Sequence, residues 1–357
     1  MKGSWWKTLL KYGIGVLLLA FLIWRNWEPK PGQPGTGLKD MRPQQLQWYL
    51  AAAVLCSINI FATLVRWYVL VRAQQLPFSF RSAIRIFLIG YFFNTFLPGA
   101  VGGDIIKAAF IAREQSRRTV AVSTVLIDRA IGLWGLIALI AGIGGLYWVS
   151  DPEFIRSKWV LQTTVSAAIA IVAVSIAVWF VLRFLPEHRA QRFSRRLKWF
   201  PKVGGILSEF WLAVWVYRNR GGSILLALLL SWSSHLCWVF MFYCSVLTFQ
   251  KPGQPPHMPS LAEHFLIVPM GMITQGVVPL PGGIGAGEAA FAGLYSLFGP
   301  YAASAISGSM GWRVLTWIYG AVGYITFLRL KRGTLDVPLP ADAKTEEQGP
   351  IELQGIK

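Results

Sequence analysis

The sequence predicts an all-α polytopic integral membrane protein with about six full transmembrane helices and two re-entrant helical hairpins forming an inverted repeat. Of its 357 residues 54% are hydrophobic and 14% charged, and the mean hydropathy is +0.49, the balance of a chain that lies mostly in hydrocarbon. The 17 tryptophans fall near the ends of apolar runs, among them Trp5, Trp24, Trp27, Trp48, Trp67, Trp148, Trp159 and Trp199, as interfacial belts require. The third observation is a pair of interrupted apolar stretches. From Phe87 to Phe110 the apolar run before Pro98 is too short for ~30 Å of hydrocarbon, and a Pro-Gly-Ala-Val-Gly-Gly-Asp turn breaks it. Phe265 to Phe298 repeats the pattern. Both carry a polar pair (Asn94-Thr95, Thr274-Gln275), a Pro-Gly-x-[Val/Ile]-Gly core and a carboxylate (Asp104, Glu288) opening the next helical segment. Interrupted hydrophobic segments in corresponding places point to a midplane substrate site between repeats.

Taken in order, the first span covers about Thr8 to Trp24; it resembles a signal sequence but lacks a small-x-small cleavage site, so it reads as an uncleaved span. A Pro/Gly-rich loop, Glu28 to Gly35, follows. Leu46 to Val71 forms the second span, with Arg66 placed to snorkel near one end. The first hairpin, about 83–112, is flanked by basic residues on both sides, Arg72, Arg81 and Arg85 before it and Lys107, Arg113, Arg117 and Arg118 after it. It must therefore dip and return. Val120 to Val149 crosses to an acidic loop, Asp151 to Glu153, and Trp159 to Leu185 returns. The basic stretch at about 186–220 reads as a cytoplasmic loop with an interfacial helix against anionic headgroups. Ser223 to Phe249 crosses outward, the second hairpin at about 261–298 enters from the outside, and Tyr301 to Leu328 makes the last crossing. Residues 1–332 then form one membrane domain with both termini cytoplasmic, and 333–357 a disordered polar tail. Eight complete spans is the alternative; it would put the Lys107 to Arg118 cluster outside.

The net charge of +18 sits in loops between spans, so positive-inside topology accounts for it without a nucleic acid partner. Three cysteines inside apolar runs give neither a disulfide framework nor a metal site. No Walker loop, paired-Cys or His-x-x-x-His motif is present, and no cofactor is expected.

The candidate binding residues are charged or turn-forming groups at the two interruptions. Asp104 is either a helix cap or a buried acid that holds a cation or a proton or sets the charge of Lys107 one turn on, and Glu288 occupies the matching place. Gly99, Gly102, Gly103, Gly282, Gly283, Gly285 and Gly287 permit tight turns, and they can also expose backbone N–H groups at helix N-termini to a phosphate. Asn94 and Gln275 supply polar side chains beside them. Asp128-Arg129 lies inside a span, where a charge costs ~2.5–3.5 kcal/mol and needs a partner or a wet cavity. A structural ion pair is one reading; contact between the Arg129 fork and a lipid phosphodiester is the other, with Arg313 and Lys107 as weaker candidates of the same kind. His235 reads as a core histidine, and His264, which follows Glu263 at the outer hairpin entrance, is given no role.

These motifs together, Asn94 to Asp104 with Lys107, Asp128-Arg129, and Pro281-Gly282-Gly283-Ile284-Gly285 with Glu288, resemble the lysylphosphatidylglycerol synthase transmembrane-region family over about Leu9 to Leu330. The resemblance implies a multi-span bacterial inner-membrane protein that moves or handles a lipid with a modified headgroup. In the best understood members a separate C-terminal domain makes that lipid, and the sequence after the last span leaves no room for one. The expectation is thus a flippase-like carrier of an anionic or headgroup-modified phospholipid or a lipid-linked intermediate, of open oligomeric state. A membrane-embedded headgroup transferase, a scaffold for a lipid-modifying enzyme, and a carrier of a soluble anion are the competing readings.

Overall fold

The computed structural model describes residues 5–29, 36–97, 102–200, 204–278 and 280–333; the expected tail beyond Gly333, and Gly99, lie outside them. The described residues form thirteen α-helices. Those placed where crossings were expected are α1 (Trp5–Arg25), α2 (Leu46–Ala73), α5 (Arg118–Ser150), α7 (Trp159–Phe184), α10 (Gly221–Leu247) and α13 (Ala302–Gly333). Of these α2, α5, α7 and α10 are long and apolar enough to cross a membrane by length and composition. The interrupted stretches form helix pairs, α3 (Phe80–Phe96) with α4 (Gly102–Glu114) and α11 (Leu261–Val277) with α12 (Ala286–Ser296). A short α6 (Pro152–Arg156) sits in the acidic loop.

Local chemistry fixes both ends of α3 and α11 in the same way. Ser79 caps α3 by accepting from the N–H of Ser82, and Ser260 caps α11 by accepting from that of Glu263, whose own carboxylate accepts from the Ser260 N–H. Each helix runs 17 residues and ends just short of an X-Pro bond. Leu97 and Val278, the residues before Pro98 and Pro279, are extended (ψ 151° and 122°), because a following proline ring crowds the helical conformation.

The order α2–α3–α4–α5 recurs as α10–α11–α12–α13. The first helices have 28 and 27 residues and the last 33 and 32. These first helices pack side by side and antiparallel: Gln45 bonds to the carbonyl of Gln250 at one end, Asn59 to Ser234 in the middle, and Arg66 to Ser231 further along. The later elements exchange partners, α3 lying on α13 and α11 on α5. The core fills the space between, with Trp67, Ile86, Phe242, Phe291 and Tyr295 fully buried. By contrast α7 exposes apolar residues around its circumference, among them Ile171, Val174 and Phe180, as a helix bathed in acyl chains does.

Two expectations change. Trp67 is no interfacial anchor: it is fully buried, edge-on to Phe78 at 5.3 Å. The basic loop is two helices, α8 (Glu187–Leu197) and α9 (Gly204–Arg218), joined through Ser194–Ser208 and Trp211 to the Ala190 carbonyl. Arg189, Arg192, Arg195 and Arg196 of α8 are exposed. The apolar residues of α9 serve the bundle, since Tyr217 bonds to the Leu70 carbonyl and Gln74 to that of Ala213.

Close packing of α4 on α3 rests on Gly103, where an added Cβ would overlap the Gly90 carbonyl and Asn94. Gly103→Ala should therefore cost about 1–3 kcal/mol through overpacking. Gly142→Ala, with open space around it, should be neutral. Thermal unfolding of the two purified variants in detergent checks the contrast.

Candidate functional site

At the first hairpin, Asn94 ties α3 to the start of α4 by accepting from the Gly103 N–H at 2.8 Å. This places Asp104 in the first turn of α4, where Arg129 of α5 donates to it at 2.6 Å. The second hairpin does the same work with other atoms. Gly282, Gly283 and Gly285 take φ of 54°, 66° and 80°, a region other residues resist, and carry the chain into α12. Gln275 donates to the Gly282 carbonyl at 3.1 Å, as Arg313 does at 2.9 Å. Glu288 accepts from the Gly285 N–H at 2.8 Å with one oxygen and from Arg313 and Ser309 with the other. Each arginine lies 25 residues after its acid and at the same position in its helix.

These hairpins bring polar groups together in one cavity of about 240 Å³, lined by Asn94, Arg129, Gln275, Gly282, Gly283 and Arg313. Trp238, Trp312, Thr316 and Tyr91 form further parts of the wall. The Trp312 indole N–H is buried without a hydrogen-bond partner. A larger groove of about 550 Å³ lies between α5 and α11, lined by residues such as Ile143, Leu146 and Phe265. It holds no charged side chain, so the smaller cavity is the candidate site.

The two acid–arginine pairs differ in exposure. Glu288 and Arg313 are buried, at 0% and 4% side-chain exposure, with the guanidinium committed to the carboxylate and two carbonyls. Asp104 is 16% and Arg129 52% exposed, so Arg129 lines the cavity from a half-open position while paired with Asp104.

Several expected roles are corrected. The N–H groups of Gly283, Gly285 and Gly287 bond to Leu280, Glu288 and Gly283, so these three donors are already taken within the hairpin. Glu288 is both a cap and an ion-pair partner. Gly102, Gly103, Asp104, Gly285 and Glu288 shape the hairpins behind the cavity wall. Lys107 and Arg66 do not snorkel: both are buried and both grip Asp128, Arg66 at 2.8 Å and Lys107 at 3.3 Å. Asp128 thereby faces away from the cavity that its neighbour Arg129 lines. Sequence reading missed Arg66, because only the packing of α2 against α10 and α5 shows that its end of the helix is internal. His264 is a core histidine, bonded to the Ser260 carbonyl and the Tyr295 hydroxyl.

The profile of the family described as "Lysylphosphatidylglycerol synthase TM region" matches residues 9–323. The chain belongs to this family. A relative within reach of sequence comparison is the UPF0104 membrane protein PH1989 of Pyrococcus horikoshii, 24% identical over 348 residues, which are 91% of this chain and 98% of the relative. No solved structure matches. The chain is thus a helical multi-pass membrane protein of the lysylphosphatidylglycerol synthase TM-region family.

The exposure difference sets opposite expectations for the two pairs. Glu288→Gln or Arg313→Gln leaves a charge stranded in the interior and should destabilise by about 3–5 kcal/mol. Asp104→Asn and Arg129→Gln, at a solvent-screened pair, should cost about 0–1 kcal/mol. Unfolding of the four variants in detergent, followed by size-exclusion chromatography, separates the two classes.

Proposed function

We propose that the protein is a lipid carrier of flippase type, moving an anionic or headgroup-modified phospholipid between the leaflets of the inner membrane. The observation that carries this reading is the cavity at the meeting of the two hairpins, polar on its α3, α5 and α11 sides and faced by the half-exposed Arg129 guanidinium. Its size suits a headgroup and not a whole lipid. In this reading the tails stay in the bilayer while the headgroup crosses. Arg129 meets the phosphodiester through its planar fork, oriented from behind by Asp104, and Asn94, Gln275 and the Trp312 N–H supply neutral hydrogen bonds.

The topology that goes with it has six crossings and two re-entrant hairpins from opposite faces, with both termini cytoplasmic and α8 and α9 peripheral, α8 turning its arginines to anionic headgroups. Two arrangements support it. The first helices of the two repeats are antiparallel, as inversion requires. Both hairpin tips also meet the middle of α1: Tyr12 donates to the Phe96 carbonyl, and Gly15 and Leu18 press on Ile284 and Gly285. In this topology α1 crosses the bilayer, and both hairpins meet it near its centre.

Leaflet exchange of tagged phosphatidylglycerol and aminoacylated phosphatidylglycerol in proteoliposomes tests the function. Asp104→Asn and Arg129→Gln should slow exchange by about tenfold or more, the worth of one charge-assisted hydrogen bond, with folding intact. Wild-type protein that moves no lipid of either kind would remove the carrier reading. Thiol labelling tests the topology in a background without Cys56, Cys237 and Cys244. Cysteines at Arg81 and Arg113 should react from one face and those at Lys251 and Phe298 from the other, whereas eight full spans would split each pair.

A further inference from the structure

The hairpins and long helices that build the cavity also enclose a cluster of three charges. Arg66 of α2, Lys107 of α4 and Asp128 of α5 are each 5% exposed. Arg66 donates to one oxygen of Asp128 and to the Ser231 hydroxyl, and Lys107 donates to the other oxygen. The Lys107 ammonium lies 4.2 Å from the centre of the Trp67 ring and 5.5 Å from that of Phe87. Two cations thus share one carboxylate in a dry place. When all three groups are ionised the cluster carries one uncompensated positive charge.

The second repeat shows that the fold does not need these charges. Counting along equivalent helices, Arg66-Trp67 corresponds to Met241-Phe242, Lys107 to Phe291 and Asp128 to Trp312. Contacts bear the correspondence out. Phe291 stacks on Phe242 at 4.3 Å, as Lys107 lies over Trp67 at 4.2 Å. Lys107 packs on Gly90 of α3, and Phe291 on Gly271 at the equivalent place in α11. Methionine, phenylalanine and tryptophan, all buried, therefore do in one repeat what arginine, lysine and aspartate do in the other. Apolar residues of similar volume are generally neutral or stabilising in place of a buried ion cluster, so packing gives no reason for the charges.

Their position gives one. Lys107 follows Asp104 by one helical turn, and Asp128 precedes Arg129, so the cluster adjoins the pair that faces the cavity. The groups facing Lys107 are Arg66 and Trp67 from α2, Asp128 from α5, Phe87 from α3 and Asp104 on its own helix; His235 of α10 stands behind Arg66 through Ser231. Of these cations only Lys107 can lose its proton, since a guanidinium keeps its own.

We propose that Lys107 is a proton-binding site that balances the charge of an anionic headgroup. With the cavity empty, Lys107 is the neutral amine and Arg66–Asp128 is a balanced pair. When a monoanionic phosphodiester sits against Arg129, a proton from water binds the Lys107 Nζ lone pair. It leaves to water when the lipid leaves, so lipid and proton cross together with no net charge. This rests on the carrier reading above.

The test is calorimetric titration of detergent-solubilised protein with short-chain phosphatidylglycerol near neutral pH, in buffers of different ionisation enthalpy. Wild type should take up about one proton per lipid bound, and Lys107→Arg, which keeps a cation beside Asp128, should bind lipid with no proton uptake. In proteoliposomes the wild type should accumulate tagged phosphatidylglycerol in the leaflet facing the alkaline side, by about tenfold per pH unit at one proton per lipid, and Lys107→Arg should show no such bias. Lipid binding by wild type without proton uptake overturns the proton site and leaves the carrier reading standing, as does unchanged proton uptake in Lys107→Arg. Wild type that neither binds nor exchanges lipid overturns both.

Discussion

A charge inside a helix bundle that is itself surrounded by hydrocarbon must find its counter-charge on another helix, because no solvent is there to take its place. In this protein two such pairings are buried in the interior and a third opens half-exposed on the cavity. Asp128 of α5 draws in Arg66 from α2 and Lys107 from α4; Asp104 of α4 is held by Arg129 of α5; Glu288 of α12 is held by Arg313 of α13. Each pairing ties a hairpin to a long helix. The seating of α4 and α12 follows from them, and with it the walls of the cavity.

The two repeats build the same order of helices by partly different chemistry. Capping serines, 17-residue helices stopped before X-Pro, and an acid–arginine pair 25 residues apart are common to both. At the acid, the second repeat also uses the carboxylate to cap its own helix and seals the pair in the interior; the first leaves its arginine half open. Beside the acid, the second repeat packs Phe291 on Phe242 and the first places Lys107 over Trp67. At these positions one half therefore packs apolar side chains, and the other concentrates charges.

Much of the fold was legible in the chain. Apolar run length and the positions of Pro98 and Pro279 mark where helices cross and where they break, because hydrocarbon thickness and the pre-proline clash act locally. Asn94, Asp104, Gln275, Glu288 and the paired glycines stand out for the same reason, since polar and turn-forming residues inside apolar runs need a purpose. What the chain alone left open was the partner of each charge. Arg66 and Lys107 looked free to snorkel, and Trp67 looked interfacial, because distance along a helix from its end measures depth only if that end is at the surface.

By itself, then, the sequence determined that this is a helical membrane protein with two matched interruptions carrying charge and glycine, since composition and periodicity respond to the solvent around each segment. Tertiary structure alone decided which charges neutralise one another, and which of the two cavity-lining arginines is half open and which is buried. Those outcomes depend on the antiparallel seating of α2 against α10 and the exchange of hairpins between repeats, contacts between residues far apart in the chain that no local pattern encodes.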